Sequence, residues 1–283
     1  MTISTTVYPL TGLSIADTSA PIATHEQLGG TGVVLNKALA IPGHLGAPWS
    51  SIEYVTIPPA TTGVEHAVGL HEQSTDEIYY VCEGEGVLTT NGCPRPVAAG
   101  LLALAPKGTR HTIRNASSTQ PLSFLVVEVQ AQDAAGAHEP AFIELATQVH
   151  ASDAPFPVRV GQRLVQPLVA TVDLHDSLGA AWGTLSLITL PPGGRGEVYQ
   201  EDEYDQNIFE VQGCATIYVT EAIRIDSPAE HHLNVVVPRG VPRRIVNRGS
   251  GENHSLTVVC LNVRRAGAEM THTTAMARTA VRE

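Results

Sequence analysis

The chain has 283 residues and a net charge of −11, which argues against nucleic acid and anionic membrane surfaces as partners because both would repel it. Aromatic residues make up only 5% of the sequence, whereas Gly and Pro number 25 and 19. This balance favours short strands and turns over long helices. The length is too great for one small barrel and is sufficient for two domains.

No apolar run approaches the roughly 20 residues that a membrane helix needs. The residues after Met1 lack the basic start and apolar centre of a secretory signal, and the first basic residue is Lys37. We therefore expect a cytoplasmic protein without a membrane partner.

Residues 1–30 are rich in Thr and Ser and show weak periodicity, which predicts an extended N-terminal arm. After it, the segment at 44–60, HLGAPWSSIEYVTIPPA, returns at 177–193 as SLGAAWGTLSLITLPPG. The repeat aligns Trp49 with Trp182, the only two tryptophans of the chain. Because such a repeat marks copies of one structural unit, we expect two similar domains.

Between the two copies of this repeat lies a stretch with the residue types of a metal site. His71 and Gln73 are two residues apart, so in a strand their side chains point to the same face. Glu77 opens the apolar and aromatic run at 78–81, and His111 begins another short strand after a Pro-x-Gly turn. If these strands face one cavity, two imidazoles, an amide and a carboxylate converge, which is a ligand set for a divalent transition metal.

The stretch at 63–115 resembles the two signature motifs of the cupin superfamily. The residues that match the first motif are His71, Gln73, Glu77 and Gly84, and those that match the second are Gly100, Pro106, Gly108, His111 and Asn115. Gln73 departs from the pattern, since the family usually has His there. The resemblance implies an all-β fold of two tandem cupin (double-stranded β-helix, jelly-roll) barrels, with one metal ion at the mouth of the first.

The second copy departs from the pattern at every ligand position. Aligned on the glycines that close the first motif, it places these residues opposite the four ligands: Gln200, Asp202, Gln206 and Arg243. An Arg cannot bind a cation because it is always protonated. We therefore expect no metal in the second domain and an Arg243–Asp202 ion pair in its place. The alternative is that both residues are exposed at the barrel rim.

These observations divide the chain into five parts. The predicted parts are an N-terminal arm at 1–30, a metal-binding cupin domain at 31–135, a linker at 136–157, a degenerate cupin domain at 158–265 and a C-terminal tail at 266–283.

Two further residues compete for a role near the site. Tyr79 shares the parity of Glu77 and should point into the barrel, either as core or as a phenol that reaches the substrate. His66 follows Pro59 by seven residues. A cupin without the extra residues of this connection would have its first metal ligand near that position. His66 is either an acid–base group at the mouth or a surface histidine. The alternative to a metal site is a polar cluster satisfied by its own hydrogen bonds.

An open metal site in an apolar barrel predicts a metal-dependent enzyme with a small-molecule substrate. By analogy with cupin dioxygenases, the first hypothesis is a non-haem Fe(II) oxygenase, with Mn, Ni, Co, Cu and Zn as alternative metals. Its predicted metal ligands are His71, Gln73, Glu77 and His111, and its predicted catalytic residues are Glu77, Tyr79 and His66. The other hypotheses are a non-redox isomerase, cyclase or lyase and a non-catalytic binding protein. We expect a monomer or a homodimer.

Overall fold

The computed structural model describes residues 6–8, 13–41, 45–130, 135–152, 155–220, 222–249 and 254–265. The predicted C-terminal tail at 266–283 lies outside these residues. Regular structure in the described part of the chain is almost entirely β-strand, with one four-residue α-helix and two 3₁₀ turns. No helix in this part is long and apolar enough to span a membrane.

The first half of the chain consists of short strands and one 3₁₀ turn. In chain order these elements are β1 (Thr6–Tyr8), β2 (Leu13–Asp17), β3 (Ile22–His25), the turn Gln27–Gly29, β4 (Val33–Ala40), β5 (Trp49–Ile57), β6 (Ala67–Glu72), β7 (Asp76–Glu83), β8 (Glu85–Thr90), β9 (Cys93–Ala98), β10 (Leu101–Ala105), β11 (Arg110–Asn115), β12 (Leu122–Val129) and β13 (Ala141–Glu144).

The second half continues in the same manner. Its elements are the 3₁₀ turn Leu145–Gln148, β14 (His150–Ala151), β15 (Val158–Val160), β16 (Arg163–Val165), β17 (Leu168–Asp173), α1 (His175–Leu178), β18 (Trp182–Leu190), β19 (Arg195–Gly196), β20 (Tyr204–Gln212), β21 (Ala215–Val219), β22 (Ile223–Asp226), β23 (Leu233–Val237), β24 (Arg243–Asn247) and β25 (Leu256–Arg264).

These strands form four sheets, two for each barrel. In the first barrel, a seven-stranded sheet of order β13-β10-β7-β12-β5-β4-β3 faces a four-stranded sheet of order β6-β11-β8-β9. In the second barrel, an eight-stranded sheet of order β1-β2-β23-β20-β25-β18-β17-β14 faces a six-stranded sheet of order β16-β15-β19-β24-β21-β22. Facing antiparallel sheets in each half confirm the predicted all-β fold of tandem jelly-roll barrels.

The central strands of the two larger sheets are apolar at nearly every position because both of their faces are buried. On β12, Phe124 packs inside the first barrel, whereas its neighbour Leu125 packs in a core cluster shared with the second barrel. On β25, Val258 lies inside the second barrel and Val259 lies in the same shared cluster. A continuous apolar core therefore joins the two barrels through their larger sheets.

Each larger sheet also includes a strand from a segment that the sequence places outside the barrels. β2, from the predicted N-terminal arm, pairs with β23 of the second barrel. β13, from the predicted linker, pairs with β10 of the first barrel. The position of a segment in the chain therefore does not tell which barrel it joins. The predicted domain boundaries stay a prediction.

One side-chain hydrogen bond connects the barrels next to the predicted site. Trp182, the first residue of β18, donates its Nε1–H to Asp76 Oδ2 of β7 at 3.1 Å. The repeat relates Trp182 to Trp49, yet Trp49 Nε1 has no partner among the described residues. The residue that corresponds to Asp76 is Asp205, and its Oδ2 lies 3.8 Å from Arg265 Nε instead. The connection between the barrels is therefore asymmetric.

Candidate metal centre

Three strands of the first barrel bring ionisable side chains to one point. His71 of β6 lies directly opposite His111 of β11 across the smaller sheet, and their ring centroids are 4.2 Å apart. Glu77 comes from β7 in the facing sheet. One ligand atom from each of these three side chains lies within 4.8 Å of the other two. They form a group that could hold a metal ion.

Tyr79, two residues after Glu77 on the same face of β7, completes this group. Its hydroxyl donates to Glu77 Oε2 at 2.8 Å and lies 2.8 Å from His111 Nε2. His111 Nε2 is itself 2.8 Å from Glu77 Oε2. Two ligand atoms that each lie about 2.1 Å from one metal ion, with an angle of about 90° at the metal, are about 3 Å apart. The distance between His111 Nε2 and Glu77 Oε2 is close to that value.

Both imidazoles are oriented by backbone carbonyl groups. The Nδ1–H of His71 donates to Gly69 O at 2.8 Å, and the Nδ1–H of His111 donates to Thr109 O at 2.9 Å. A carbonyl oxygen only accepts, so each Nδ1 carries a proton and each Nε2 is left to bind a metal. The donor set and its orientation therefore fit a divalent transition metal.

The electrostatics of the group follow from burial and from one carboxylate. Burial lowers the pKa of His71, and the neighbouring His111 lowers it further. Burial acts on His111 in the same direction, but the hydrogen bond and charge of Glu77 outweigh it and raise the pKa of His111. Burial, reinforced by the charge of Glu77, holds the pKa of Tyr79 well above its ordinary value. Tyr79 is therefore a neutral hydrogen-bond donor.

Two carboxyl groups that motif reasoning missed share the same cavity. Glu53 of β5 and Glu128 of β12 line it together with Glu77. Burial, and then the charge of Glu77, raises the pKa of both groups. The sequence contains a sign of both groups, because residues two apart in a strand point to the same face. Glu53 is two residues from Val55, and Glu128 is two residues from Val126. An acid at an inward position of an otherwise apolar strand therefore indicates a site.

The cavity is small and partly open to solvent. Its volume is about 50 Å³, and its walls include the apolar residues Val68 and Ile113. Gln27 and Leu28, from the first 3₁₀ turn, also border it. The turn lies so close to β6 that a Cβ atom on Gly69 would collide with the carbonyl oxygen of Leu28. The N-terminal segment thus closes one side of the candidate site.

The other predicted site residues are placed differently. Gln73 lines the same cavity as the three ionisable residues, and its role as a fourth ligand stays a prediction. His66 is buried, and its Nδ1 accepts the backbone N–H of Val33 at 2.8 Å. It is absent from the described residues that line the cavity. The structure therefore brings Tyr79 to the group and leaves His66 in a contact with β4.

The strand register corrects one alignment between the barrels. Tyr199 pairs with Arg243 in the second barrel as His71 pairs with His111 in the first. The residue that corresponds to His71 is therefore Tyr199, and the alignment with Gln200 is wrong. The segment from Tyr199 to Gln206 is one residue longer than the segment from His71 to Glu77. An alignment that starts from the glycine at the end of the first motif is therefore shifted by one residue at this position.

The predicted ion pair of the second barrel is also wrong. Arg243 is only 1% exposed, so it does not lie at the rim. Asp202 is exposed and accepts a hydrogen bond from Gln200 Nε2 at 2.7 Å. No ion pair joins Arg243 to Asp202, both of which belong to the described part of the chain.

A chain of uncharged hydrogen bonds takes the place of the metal group in the second barrel. Tyr199 OH donates to Gln206 Oε1 at 2.7 Å, and Gln206 Nε2 donates to Asn262 Oδ1 at 2.9 Å. Asn262 Nδ2 in turn donates to Thr184 Oγ1 at 3.1 Å. Within the described ranges, the first barrel holds the one cluster of His, Cys, Asp or Glu residues suited to a metal.

Sequence comparisons agree with this architecture. Residues 53–128 match the family model described as Cupin domain. The oxalate-binding protein of Thermotoga maritima is 39% identical over 72 residues, which are 25% of this chain and 54% of that protein. The match thus spans about half the length of this curated relative. Together with the two barrels, these findings support the predicted resemblance to the cupin superfamily, with a Cupin domain at residues 53–128.

Several solved structures share the fold over almost the whole chain. Protein Ylba from Escherichia coli has a TM-score of 0.65 at 11% identity, over 93% of this chain and 95% of that chain. A mutant of Bacillus subtilis oxalate decarboxylase has a TM-score of 0.64 at 12% identity, over 93% of this chain and 79% of that chain. The bacterial pirin YhhW from Escherichia coli, in complex with nickel(II), has a TM-score of 0.57 at 14% identity, over 89% of this chain and 99% of that chain. At these identities the likeness establishes the fold alone.

Proposed function

We propose that the chain is a metal-dependent enzyme of the non-haem Fe(II) oxygenase type that acts on a small organic molecule. The observation that carries the proposal is the convergence of His71, Glu77 and His111 inside the first barrel. Two imidazoles and one carboxylate form the ligand set of non-haem iron sites, which leaves positions open for a substrate. An Fe(II) ion bound there would supply redox chemistry with dioxygen and a Lewis acid for an oxygen of the substrate.

The residues around this ligand set would orient it and keep water out. The carbonyl groups of Gly69 and Thr109 hold the two imidazole rings. The hydroxyl of Tyr79 restrains Glu77, and partners of this kind tune metal sites in general. Gln73 would add a neutral amide oxygen, and the turn at 27–29 would shield the cavity from bulk water.

The carboxyl groups around the cavity oppose the attraction that a bound metal ion would exert on an anionic substrate. Glu53, Glu77 and Glu128 border the cavity, and its described lining residues include no Lys or Arg. Carboxylates in a buried space repel an anion strongly because solvent screening is weak there. The cavity of about 50 Å³ is far smaller than an ordinary ligand pocket. We therefore infer that only a few atoms of the substrate, such as an enolisable carbonyl or a phenol oxygen, reach the metal while the rest of the molecule stays outside the cavity.

Oxygen uptake tests this function. Protein purified without chelators would be freed of metal, loaded anaerobically with Fe(II) and exposed to air with a panel of small neutral aromatic and enolisable compounds. The proposal expects uptake that requires both Fe(II) and a substrate and that disappears in His111→Ala. His150→Ala is the matched control, because His150 is exposed and its Nδ1–H donates only to its neighbour Gln148 O at 2.8 Å. Turnover without oxygen under Mn or Zn would contradict an oxygenase and favour an isomerase, cyclase or lyase.

A second function is favoured by the 39% identity to an oxalate-binding protein. Oxalate chelates divalent metals through two oxygens, and the charge of a bound metal would offset the repulsion from Glu53 and Glu128. Calorimetric titration of oxalate into Mn-loaded protein separates the two functions. Micromolar oxalate binding without oxygen uptake would favour oxalate binding or cleavage, whereas the absence of binding heat would favour the oxygenase.

A further inference from the structure

Leu28 is the apolar side chain at the open side of the cavity that holds the candidate metal centre. Of the described residues that line this cavity, it alone is exposed, with 52% of its surface accessible. The lining residues of intermediate exposure are all polar, namely Gln27, Glu53, His71, Gln73 and Glu128. The other apolar lining residues, such as Val68 and Phe124, are buried. Leu28 therefore lies where solvent reaches the cavity.

The backbone of Leu28 has a conformation that leucine rarely adopts. Its φ of 52° and ψ of 34° lie in the left-handed region, where a Cβ atom crowds the following carbonyl oxygen. Glycine occupies this region without that penalty. Because half of the leucine side chain stays in water, burial offsets little of the cost. A strained residue that packing does not require indicates a role in function.

The turn that carries Leu28 is fixed against β6. Just after the turn, Thr31 and Ala67 exchange two backbone hydrogen bonds of 3.2 and 3.0 Å. A Cβ atom on Gly30 would collide with the carbonyl oxygen of Ala67, and one on Gly69 would collide with that of Leu28. The two glycines thus allow the backbones of the turn and the strand to touch. This contact holds Leu28 in place beside the strand that carries the first candidate ligand.

We propose that Leu28 determines substrate specificity by packing against an apolar group of the substrate that stays outside the cavity. This inference rests on the proposed function only in that a substrate binds at the metal centre. The cavity of about 50 Å³ admits few atoms. The ligand class is therefore a molecule with metal-binding oxygens at one end and an aryl or alkyl group at the other. Because the other partly exposed lining residues are polar, Leu28 supplies the main hydrophobic contact to that group.

Two hydroxamates with the same metal-binding end test this proposal. Acetohydroxamate carries a methyl group and benzohydroxamate carries a phenyl ring, and both bind divalent metals through two oxygens. Each is titrated calorimetrically into the Mn-loaded full chain. Benzohydroxamate should bind about 10-fold more tightly, because roughly 60 Å² of additional apolar surface leaves water. Equal Kd values, or binding of neither compound to protein whose metal content has been verified, overturns the proposal.

A substitution of Leu28 separates the hydrophobic contact from metal binding. In Leu28→Ala the preference for benzohydroxamate should fall to about threefold or less, while the Kd of acetohydroxamate changes by less than about twofold. Leu70→Ala is the matched control, because Leu70 is also 52% exposed but adjoins His71 on β6 and points to the opposite face. An undiminished preference in Leu28→Ala, or an equal loss in Leu70→Ala, overturns the proposal.

Thermal unfolding of the metal-free protein distinguishes this role from a packing role. Leu28→Ala should lower the Tm by no more than about 3 °C. Leu28→Gly should have a Tm about 1 to 2 °C above that of Leu28→Ala, because glycine removes the penalty of the left-handed backbone. A larger fall in both variants, or a lower Tm for Leu28→Gly than for Leu28→Ala, would assign Leu28 to packing and overturn the proposal.

The outcome does not depend on oxygen chemistry. A preference for benzohydroxamate that Leu28→Ala loses, in a protein that takes up no oxygen, would support specificity at Leu28 and contradict the oxygenase. Oxygen uptake together with equal affinities for the two hydroxamates would support the oxygenase and overturn the role of Leu28.

Discussion

At the scale of single residues, the hydroxyl of Tyr79 connects the two sheets of the first barrel at the candidate metal centre. It donates to Glu77, which lies on its own strand, and it is 2.8 Å from His111 Nε2 on the facing sheet. The parity of Tyr79 with Glu77 predicts its inward direction. The contact with His111 depends on the distance between two sheets, which no local pattern contains.

We predict that Tyr79→Phe weakens metal retention by about 10- to 100-fold, as loss of an outer hydrogen bond does in other metal sites. Glu77 and His111 would lose a common partner and sample more orientations. Competition with a chelating dye measures the affinity. Tyr80→Phe is the control, because Tyr80 is buried on the opposite face of β7, in the cluster between the barrels. Equal affinity of Tyr79→Phe and wild type would restrict Tyr79 to a packing role.

Glu210 is a second residue whose chemistry the structure exposes. It lies in β20, is 3% exposed, and accepts hydrogen bonds from Ser227 Oγ and from the backbone N–H of Ala215. Burial, partly opposed by these hydrogen bonds, raises the pKa of Glu210 from 4.5 to about 7. The folded protein therefore holds this proton more tightly than the unfolded chain does.

We predict that Glu210 makes the protein less stable as the pH rises from about 4.5 to about 7. In that window the unfolded chain releases the proton while the folded protein still holds it, so the free energy of unfolding falls by up to about 3 kcal/mol. The loss levels off only when the pH lies well above 7, where Glu210 is ionised in both the folded and the unfolded state. Urea unfolding from pH 4.5 to 8 compares wild type with Glu210→Gln. The variant should lack this part of the pH dependence, and identical profiles would contradict the raised pKa.

At the scale of elements, the hydrogen bond from Trp182 to Asp76 connects β18 of the second barrel to the start of β7, one residue before Glu77. Asp76 also accepts the backbone N–H of Lys107 at 2.8 Å, in the loop before β11. Both strands that carry the candidate ligands Glu77 and His111 are therefore attached to one carboxylate. The second barrel helps to hold the geometry of the first.

We predict that Trp182→Phe weakens metal retention in the first barrel although Trp182 belongs to the second. The variant keeps most of the buried aromatic surface and removes one donor to Asp76. Trp49→Phe is the matched control supplied by the repeat, because Trp49 Nε1 has no partner among the described residues. Metal affinity is measured in both variants beside thermal stability. Equal affinities in the two variants would mean that the bond has no effect on the site.

The elements also show what sequence patterns miss. The repeat around Trp49 and Trp182 and the two motifs predict two barrels and the strands that carry His71, Glu77 and His111. They do not predict that β2 joins the sheet of the second barrel or that β13 joins the sheet of the first. Such pairings join residues far apart in sequence, and short strands with weak alternation carry no local record of their partners.

At the scale of the whole molecule, duplication has produced two barrels with one fold and different interiors. The first collects Glu53, Glu77 and Glu128 beside two imidazoles. The second holds Arg243 above a chain of uncharged hydrogen bonds. Residue types at motif positions predict this difference. The assignment of Gln200 and the Arg243–Asp202 pair failed because one extra residue in a connection changes which side chain faces inward.

Metal content is the most direct test of this asymmetry. Protein purified without chelators or affinity metals, loaded with Fe(II) or Mn(II) and passed through a desalting column, would be assayed by elemental analysis beside His111→Ala and Arg243→Met. We expect one metal ion per chain in wild type and in Arg243→Met, and none in His111→Ala. Metal retained by His111→Ala, a second ion per chain in wild type, or no metal in any of the three proteins would contradict a single metal centre at His71, Glu77 and His111.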